Sequence, residues 1–155
     1  MAGELRNFDP SSWTVTWELA GGLGSLDLTQ GMIDGPGALT EAKDNPRWTR
    51  RGDRQSNYIR NRRPARGGTL TATYVAEAEI QDQLSALADT DEATGTIVGD
   101  IVVKDNYGST VLTYRSAFIE DDPNLVMGDT AGDRPYVFGY AERVGLMGGA
   151  RVAGT

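Results

Sequence analysis

The seven residues WTVTWEL, Trp13 to Leu19, set Trp13, Val15, Trp17 and Leu19 against Thr14, Thr16 and Glu18. Successive side chains of a strand leave on opposite sides, so period two marks a half-buried strand with one aromatic face. Gly21-Gly22 then reads as a turn, and SLDL (25–28) continues a hairpin-like ribbon, with MID (32–34) as a candidate extension. Gly35-Pro36-Gly37 breaks the pattern.

The same signal returns further along the chain. TLTATYVA (69–76) is rich in Thr and in β-branched or aromatic residues. TIVGDIVVKD (96–105) runs through the turn Asp105-Asn106-Tyr107-Gly108 into STVLTYRSAFIED (109–121), a hairpin reading that Asn and Gly at the junction favour. RPYVFGYAERV (134–144) predicts a last strand with Tyr136, Phe138 and Tyr140 on one face. Between these strands, EAEIQDQLSALA (77–88) places Ile80, Leu84 and Leu87 at helical spacing, with acids at its start and no Ser, Thr, Asp or Asn to cap it. Loop 121–135 is rich in Asp, Gly and Pro. The expectation is a mainly β chain: a β-sandwich or small barrel with one packed α-helix and a long protruding loop.

With 155 residues, no internal repeat and no second core, the chain reads as one domain over 1–155, long enough to bury a real core. Within it, 38–66 is expected as an extended loop or hairpin and 146–155 as a flexible C-terminal tail. Twenty glycines suit many tight connections. MAGELRNFDPSSW lacks the basic and apolar regions of a signal peptide, and no run approaches eighteen apolar residues.

Composition also removes chemistry. There is no cysteine and no histidine, so disulfides, thiolates, Ser-His-Asp triads and ordinary zinc sites are excluded. Asp89-Thr90-Asp91-Glu92 and Glu120-Asp121-Asp122 lack the spacing of a calcium loop and fall where loops are expected, as solvated acids. A carboxylate-dependent hydrolase therefore lacks a convincing pair. GGLG (21–24) precedes another strand rather than a helix, so it is a turn and not a dinucleotide fingerprint. The tripeptide Arg51-Gly52-Asp53 spells an adhesion motif, but Gly and Asp serve equally as turn formers there. The expectation is no enzyme, no cofactor and no metal.

What remains is RWTRRGDRQSNYIRNRRPARGG, Arg47 to Gly68. Eight arginines against Asp53 give this stretch +7, while the rest of the chain, with seven basic and twenty-one acidic residues, carries −14. Trp48 and Tyr58 could stack on bases, which suits a single-stranded nucleic-acid-binding module; the acidic remainder opposes it. Read as an assembly surface, a +7 loop and a −14 body on identical subunits dock head to tail, and such contacts generate rings or filaments. A merely solvated loop is the third reading.

The order of several short motifs carries a resemblance. Gly67-Gly68-Thr69-Leu70-Thr71 enters a strand, and a short helix ends near Leu84 and Leu87. Gly99-Asp100-Ile101-Val102-Val103-Lys104-Asp105 follows, with Gly108 at the turn, then Ala117-Phe118-Ile119, Pro123 and Arg134-Pro135-Tyr136-Val137-Phe138. Over residues 13 to 145 the chain resembles the tail tube proteins of tailed bacteriophages, particularly the contractile-tailed type. The resemblance implies a virion tail subunit, made in the host bacterial cytoplasm, whose sheets close into homo-hexameric rings. Such rings stack into a hollow conduit for DNA ejection, with DNA only a transient cargo in a neutral or acidic lumen and with no membrane role. It also implies tail sheath, baseplate and tail terminator proteins as partners. A type VI secretion or tailocin tube shares the architecture. A long loop between early strands reaches a neighbouring ring in that family, at the position of 38–66. Arg47, Trp48, Arg50, Arg51, Arg54, Tyr58, Arg60, Arg62, Arg63 and Arg66 are accordingly the expected inter-subunit interface.

Overall fold

In the computed structural model, residues 13–106, 108–128 and 132–148 are described. The readings made of residues 1–12 and of the tail from 149 lie outside them. The chain forms β1 (Trp13–Leu19), β2 (Gly24–Asp27), β3 (Leu39–Lys43), β4 (Trp48–Gly52), β5 (Tyr58–Arg62) and β6 (Gly68–Tyr74). After these come α1 (Ile80–Thr94), β7 (Gly99–Asp105), β8 (Val111–Asp121), β9 (Arg134–Tyr140) and β10 (Glu142–Leu146). The described residues are mainly β with one helix.

One antiparallel path runs β2-β1-β7-β8-β9-β6-β3, with β10 also on β8, while β4 and β5 form a separate two-stranded sheet. The path stays open at β2 and β3, so the small-barrel alternative does not hold. Strand β8 is the organiser. Its first half pairs with β10, from Val111↔Leu146 to Arg115↔Glu142, and its second half pairs with β9. The single last strand expected over 134–144 is therefore two, broken at Ala141. That break faces Ser116, a non-glycine residue at φ 55°, and Ala141 N–H donates to the Arg115 carbonyl there at 3.0 Å. A left-handed residue inside a strand turns its direction, and so β8 passes from one half of the sheet to the other.

The turn lets the sheet fold over itself. Trp17 of β1 stands edge-on to Phe138 of β9 with ring centroids 5.4 Å apart, although β7 and β8 separate those strands in the path. Tyr74 of β6 meets Tyr136 of β9 in the same manner at 6.0 Å, and its hydroxyl donates to the Leu28 carbonyl at 2.8 Å. Val15, Trp17, Leu70, Tyr74, Ile101, Leu84 and Phe138 form the buried centre. The alternation read in 13–19 is realised, with Val15 and Trp17 fully buried. In β6 the pattern is cleaner still, every second residue from Gly68 to Tyr74 being buried. At Gly99 an added Cβ would collide with the Glu18 carbonyl, so the close β1–β7 approach requires glycine there.

The helix begins at Ile80 and ends at Thr94, later at both ends than the expected 77–88. Gly95 at φ 67° stops it, returning its N–H to the Asp91 carbonyl at 2.6 Å. At the other end Glu79 provides no side-chain cap. Ile80 and Leu84 are buried and Leu87 partly buried against the core. Asp89, Asp91 and Glu92 are therefore on α1 and Glu120 and Asp121 on the end of β8, not on loops as the sequence reading had them. Residues 39–43, expected within the loop, are instead the edge strand β3, paired with β6 from Leu39↔Ala72 to Lys43↔Gly68.

Candidate interface: the arginine hairpin

Between β3 and β6 the chain leaves the main sheet as the β4–β5 hairpin. Its base is closed by Asp44 N–H to the Gly67 carbonyl at 3.1 Å and by Arg63 N–H to the Arg47 carbonyl at 3.0 Å. The pairing runs Trp48↔Arg62, Thr49↔Asn61, Arg50↔Arg60, Arg51↔Ile59 and Gly52↔Tyr58. Strands of five residues reach about 17 Å. Among the described residues no other strand pairs with either one, and every residue of both except Thr49 is exposed.

Residues directly opposite in a ladder share a face. Trp48, Arg50, Tyr58, Arg60 and Arg62 therefore lie together on one side, with Thr49, Arg51, Ile59 and Asn61 on the other. Arg50 opposite Arg60 is a like-charge pair, which alone opposes the hairpin. Aromatic rings offset it. The Arg60 guanidinium carbon lies 3.9 Å from the Trp48 ring centre, and that of Arg50 lies 5.9 Å from the Tyr58 ring centre. Each exposed contact of this kind contributes about 0.5–1 kcal/mol. Gly52 leaves room for the Tyr58 ring, which a Cβ would approach to 3.1 Å.

The tip is organised by Asp53. Its Oδ1 accepts from the Gln55 N–H at 2.8 Å and the Asn57 N–H at 2.9 Å, and its Oδ2 accepts from Asn57 Nδ2 at 3.2 Å. Ser56 takes the left-handed conformation at φ 64° that closes the turn. Above all the Asn57 backbone N–H, aided by the Asn57 amide and the Gln55 N–H, holds the Asp53 carboxyl below its ordinary pKa. Both carboxylate oxygens of the Arg-Gly-Asp tripeptide are thus engaged within the turn, the turn-forming alternative given for it above.

Of the ten residues expected at an interface, seven lie on or beside the two strands: Trp48, Arg50, Arg51, Tyr58, Arg60, Arg62 and Arg63. Arg54 sits in the tip, and Arg47 and Arg66 stand at the base around a recess of about 30 Å³ shared with Lys43 and Arg143. Seven of the eight arginines are exposed and Arg66 is half-buried. Among the described residues no carboxylate lies within 4 Å of any of them; the ion pair found there is Arg143–Glu41. Unpaired guanidiniums in a fixed array offer planar, two-pronged recognition of carboxylate or phosphate.

Sequence reasoning did not find the support beneath the hairpin. Glu41 of β3 accepts from Arg143 Nη1 of β10 at 2.5 Å and from the Tyr140 hydroxyl of β9 at 3.1 Å. Tyr140 and Tyr114 stack edge to face at 4.8 Å, and burial followed by the Glu41 charge raises the pKa of both phenols. One carboxylate thereby ties three strands together just below the point where the hairpin leaves. Glu41 and Arg143 are 102 residues apart, and no short motif signals the pair.

The structure also offers an apolar cleft of about 600 Å³ lined by Trp13, Pro36, Leu39 and Val103 among others, and it contains none of the arginines. Among the described residues no group of His, Cys, Asp or Glu is arranged to hold a metal ion, and no helix is long and apolar enough to cross a membrane.

No protein-family model matches the chain, and no curated protein matches its sequence. Solved structures do match in fold. The tube-terminating cap of the anti-feeding prophage aligns with a TM-score of 0.59 at 8% identity, over 93% of this chain and 93% of that one. A chain of the sheath–tube complex of the PVC extracellular contractile injection system, in its extended state, aligns at 0.52 and 8% identity, over 89% and 90%. The sheath/tube terminator of the same system aligns at 0.54 and 10% identity, over 92% and 98%. At such identity the likeness is one of fold, and it extends over nearly the whole of each chain.

Proposed function

We propose that this chain is a structural subunit of a contractile-tail assembly, and within that class a tail tube subunit. Residues 1–155 act as one unit that forms homo-hexameric rings; the rings stack into the conduit, and Arg47 to Arg66 make the contact between subunits. The observation that carries this reading is the hairpin itself: five of its side chains form one exposed cation–aromatic face, and no acid of the described chain lies within ion-pair distance of its arginines. A lone hairpin without a core gains order from a neighbour. The fold shared with chains of a sheath–tube complex, a cap and a terminator supports the class. In a virion tail the sheath, baseplate and terminator would be its partners and DNA a passing cargo; a secretion or tailocin tube would use the same surfaces without DNA.

A second reading has its own support. The chain also matches a tube cap and a sheath/tube terminator in fold, so a single ring that ends a tube is the alternative role. Negative-stain microscopy of the purified protein separates the two. Rings that stack into tubes of varying length are the expected result, and rings that stop at one layer favour the terminator. A monodisperse monomer at high concentration overturns both.

A further inference from the structure

Resting on that assembly reading, we infer that the Trp48–Arg62 face of the hairpin docks onto a second copy of this chain, in the cleft between α1 and the end of β8. The cleft, about 320 Å³, is lined by Ala88, Asp89, Asp91 and Glu92 of the helix and by Ile119, Glu120, Asp121 and Asp122 of the strand end. It holds six carboxylates and no basic side chain. One of the six is committed to the fold, since Asp91 accepts the Ile97 N–H at 3.1 Å. The remainder crowd like charge beside the half-buried apolar side chains of Ala88 and Ile119.

The hairpin face is the counterpart in both charge and pattern: Arg50, Arg60 and Arg62 flank the rings of Trp48 and Tyr58. Guanidiniums pair two-pronged with the cleft carboxylates while a ring covers Ala88 and Ile119. Phosphates, by contrast, are repelled from the cleft.

Topology makes the contact head to tail. Strands β6 and β9 pair from Gly68↔Tyr140 at one end to Tyr74↔Arg134 at the other. The hairpin leaves at the Gly68 end. Asp121 is level with Val137, and Asp122 lies beside Tyr136 and Arg134, toward the opposite end. A chain with its positive face at one end and its negative cleft toward the other presents unlike surfaces to its neighbours, and such heterologous contacts propagate.

The test is a charge exchange followed by negative-stain microscopy and sedimentation, with circular dichroism to confirm the native fold. One protein carries Arg50→Glu, Arg60→Glu and Arg62→Glu; a second carries Asp89→Lys, Glu92→Lys and Asp122→Lys; a third carries all six. Each triple variant is expected to raise the concentration needed for assembly at least about tenfold, a change of about 1.4 kcal/mol, and the six-fold variant is expected to recover it. If the cleft variant assembles like the parent while the hairpin variant does not, the hairpin docks elsewhere: this inference falls and the proposed function stands. Failure of the folded six-fold variant to recover also overturns the pairing. A parent protein that never assembles overturns both readings. Should a lysine triple misfold, Asp89→Asn, Glu92→Gln and Asp122→Asn replaces it, with weakened assembly expected and unchanged assembly counting against the cleft. Binding of duplex DNA at physiological salt that the hairpin variant alone loses would make the face a phosphate reader and refute the inference.

Discussion

The hairpin and the folded-over sheet are built from the same secondary structure by opposite means. Trp17, Tyr74 and Phe138 are held because water is excluded from them: each is fully buried and meets another ring or strand across the core. Trp48 and Tyr58 are 44% and 70% exposed, and they are held by the arginines that cross them. Hydrophobic burial scales with area removed from water and gives the core its cooperativity, whereas exposed stacking contributes only tenths to about 1 kcal/mol per contact. Stability and the proposed recognition therefore reside in different regions, and changes to one should leave the other largely intact.

The sharpest way to break that division is a pair of changes at its two poles. Phe138→Ala is expected to cost about 3–5 kcal/mol in urea unfolding, from lost transfer energy plus the cavity left beside Trp17. Replacing Arg47–Arg63 by a short Gly-Ser turn is expected to change the same unfolding free energy by less than about 0.5 kcal/mol while abolishing assembly. Equal losses would mean that the hairpin belongs to the cooperative unit.

Glu41 stands where the regions meet, and its expected effect is intermediate. Glu41→Gln removes the charge facing Arg143 and leaves a mostly buried guanidinium without its counterion. A cost of about 1–3 kcal/mol in unfolding is expected, with faster amide exchange at the hairpin base. A neutral result would show that solvent reaches Arg143 and that the base is held by the β3–β6 ladder alone.

The smallest effect lies at the tip. Asp53 is ionised more readily than an ordinary carboxyl because backbone and side-chain N–H groups of Asn57, together with the Gln55 N–H, donate to it. A depressed folded-state pKa means that its contribution is complete above the ordinary value and is lost as pH falls through the depressed one. Amide shifts of Gln55 and Asn57 should therefore move together on acidification below about pH 4, before the core signals of Leu70 and Ile101 change. A tip that titrates with the core would contradict a locally held turn.

The same division explains what could be read from the residues. Strands β1 and β6 were legible because one face of each is buried, so WTVTWEL and GTLTATY write their burial as alternation. Strands β4 and β5 carry no such alternation because neither face meets the core; cross-strand arginine–aromatic contacts hold them, and period counting does not register those. The signal that was present is local: Asp53 and Asn57 bracket a turn between Trp48 and Tyr58. Strand β3 is not legible because an edge strand such as LTEAK leaves three of its five residues exposed. The sequence places the end of the helix too early because DTDEAT looks like a loop in composition, while the residue that ends it is Gly95. The acidic cleft is beyond reach for a geometric reason: Glu92 and Glu120 are distant in sequence and come together only where α1 and the end of β8 line one cleft.

The closed base of the hairpin has a consequence for how this molecule can change. Asp44 and Gly67 are hydrogen-bonded neighbours, so everything between them is an excursion whose two ends already touch. Its length and lettering can drift without the sheet having to respond, because closing a longer loop costs only slowly more with length. The hairpin can therefore be exchanged as one cassette, a different sequence spliced between the same two residues, without a change to the sheet.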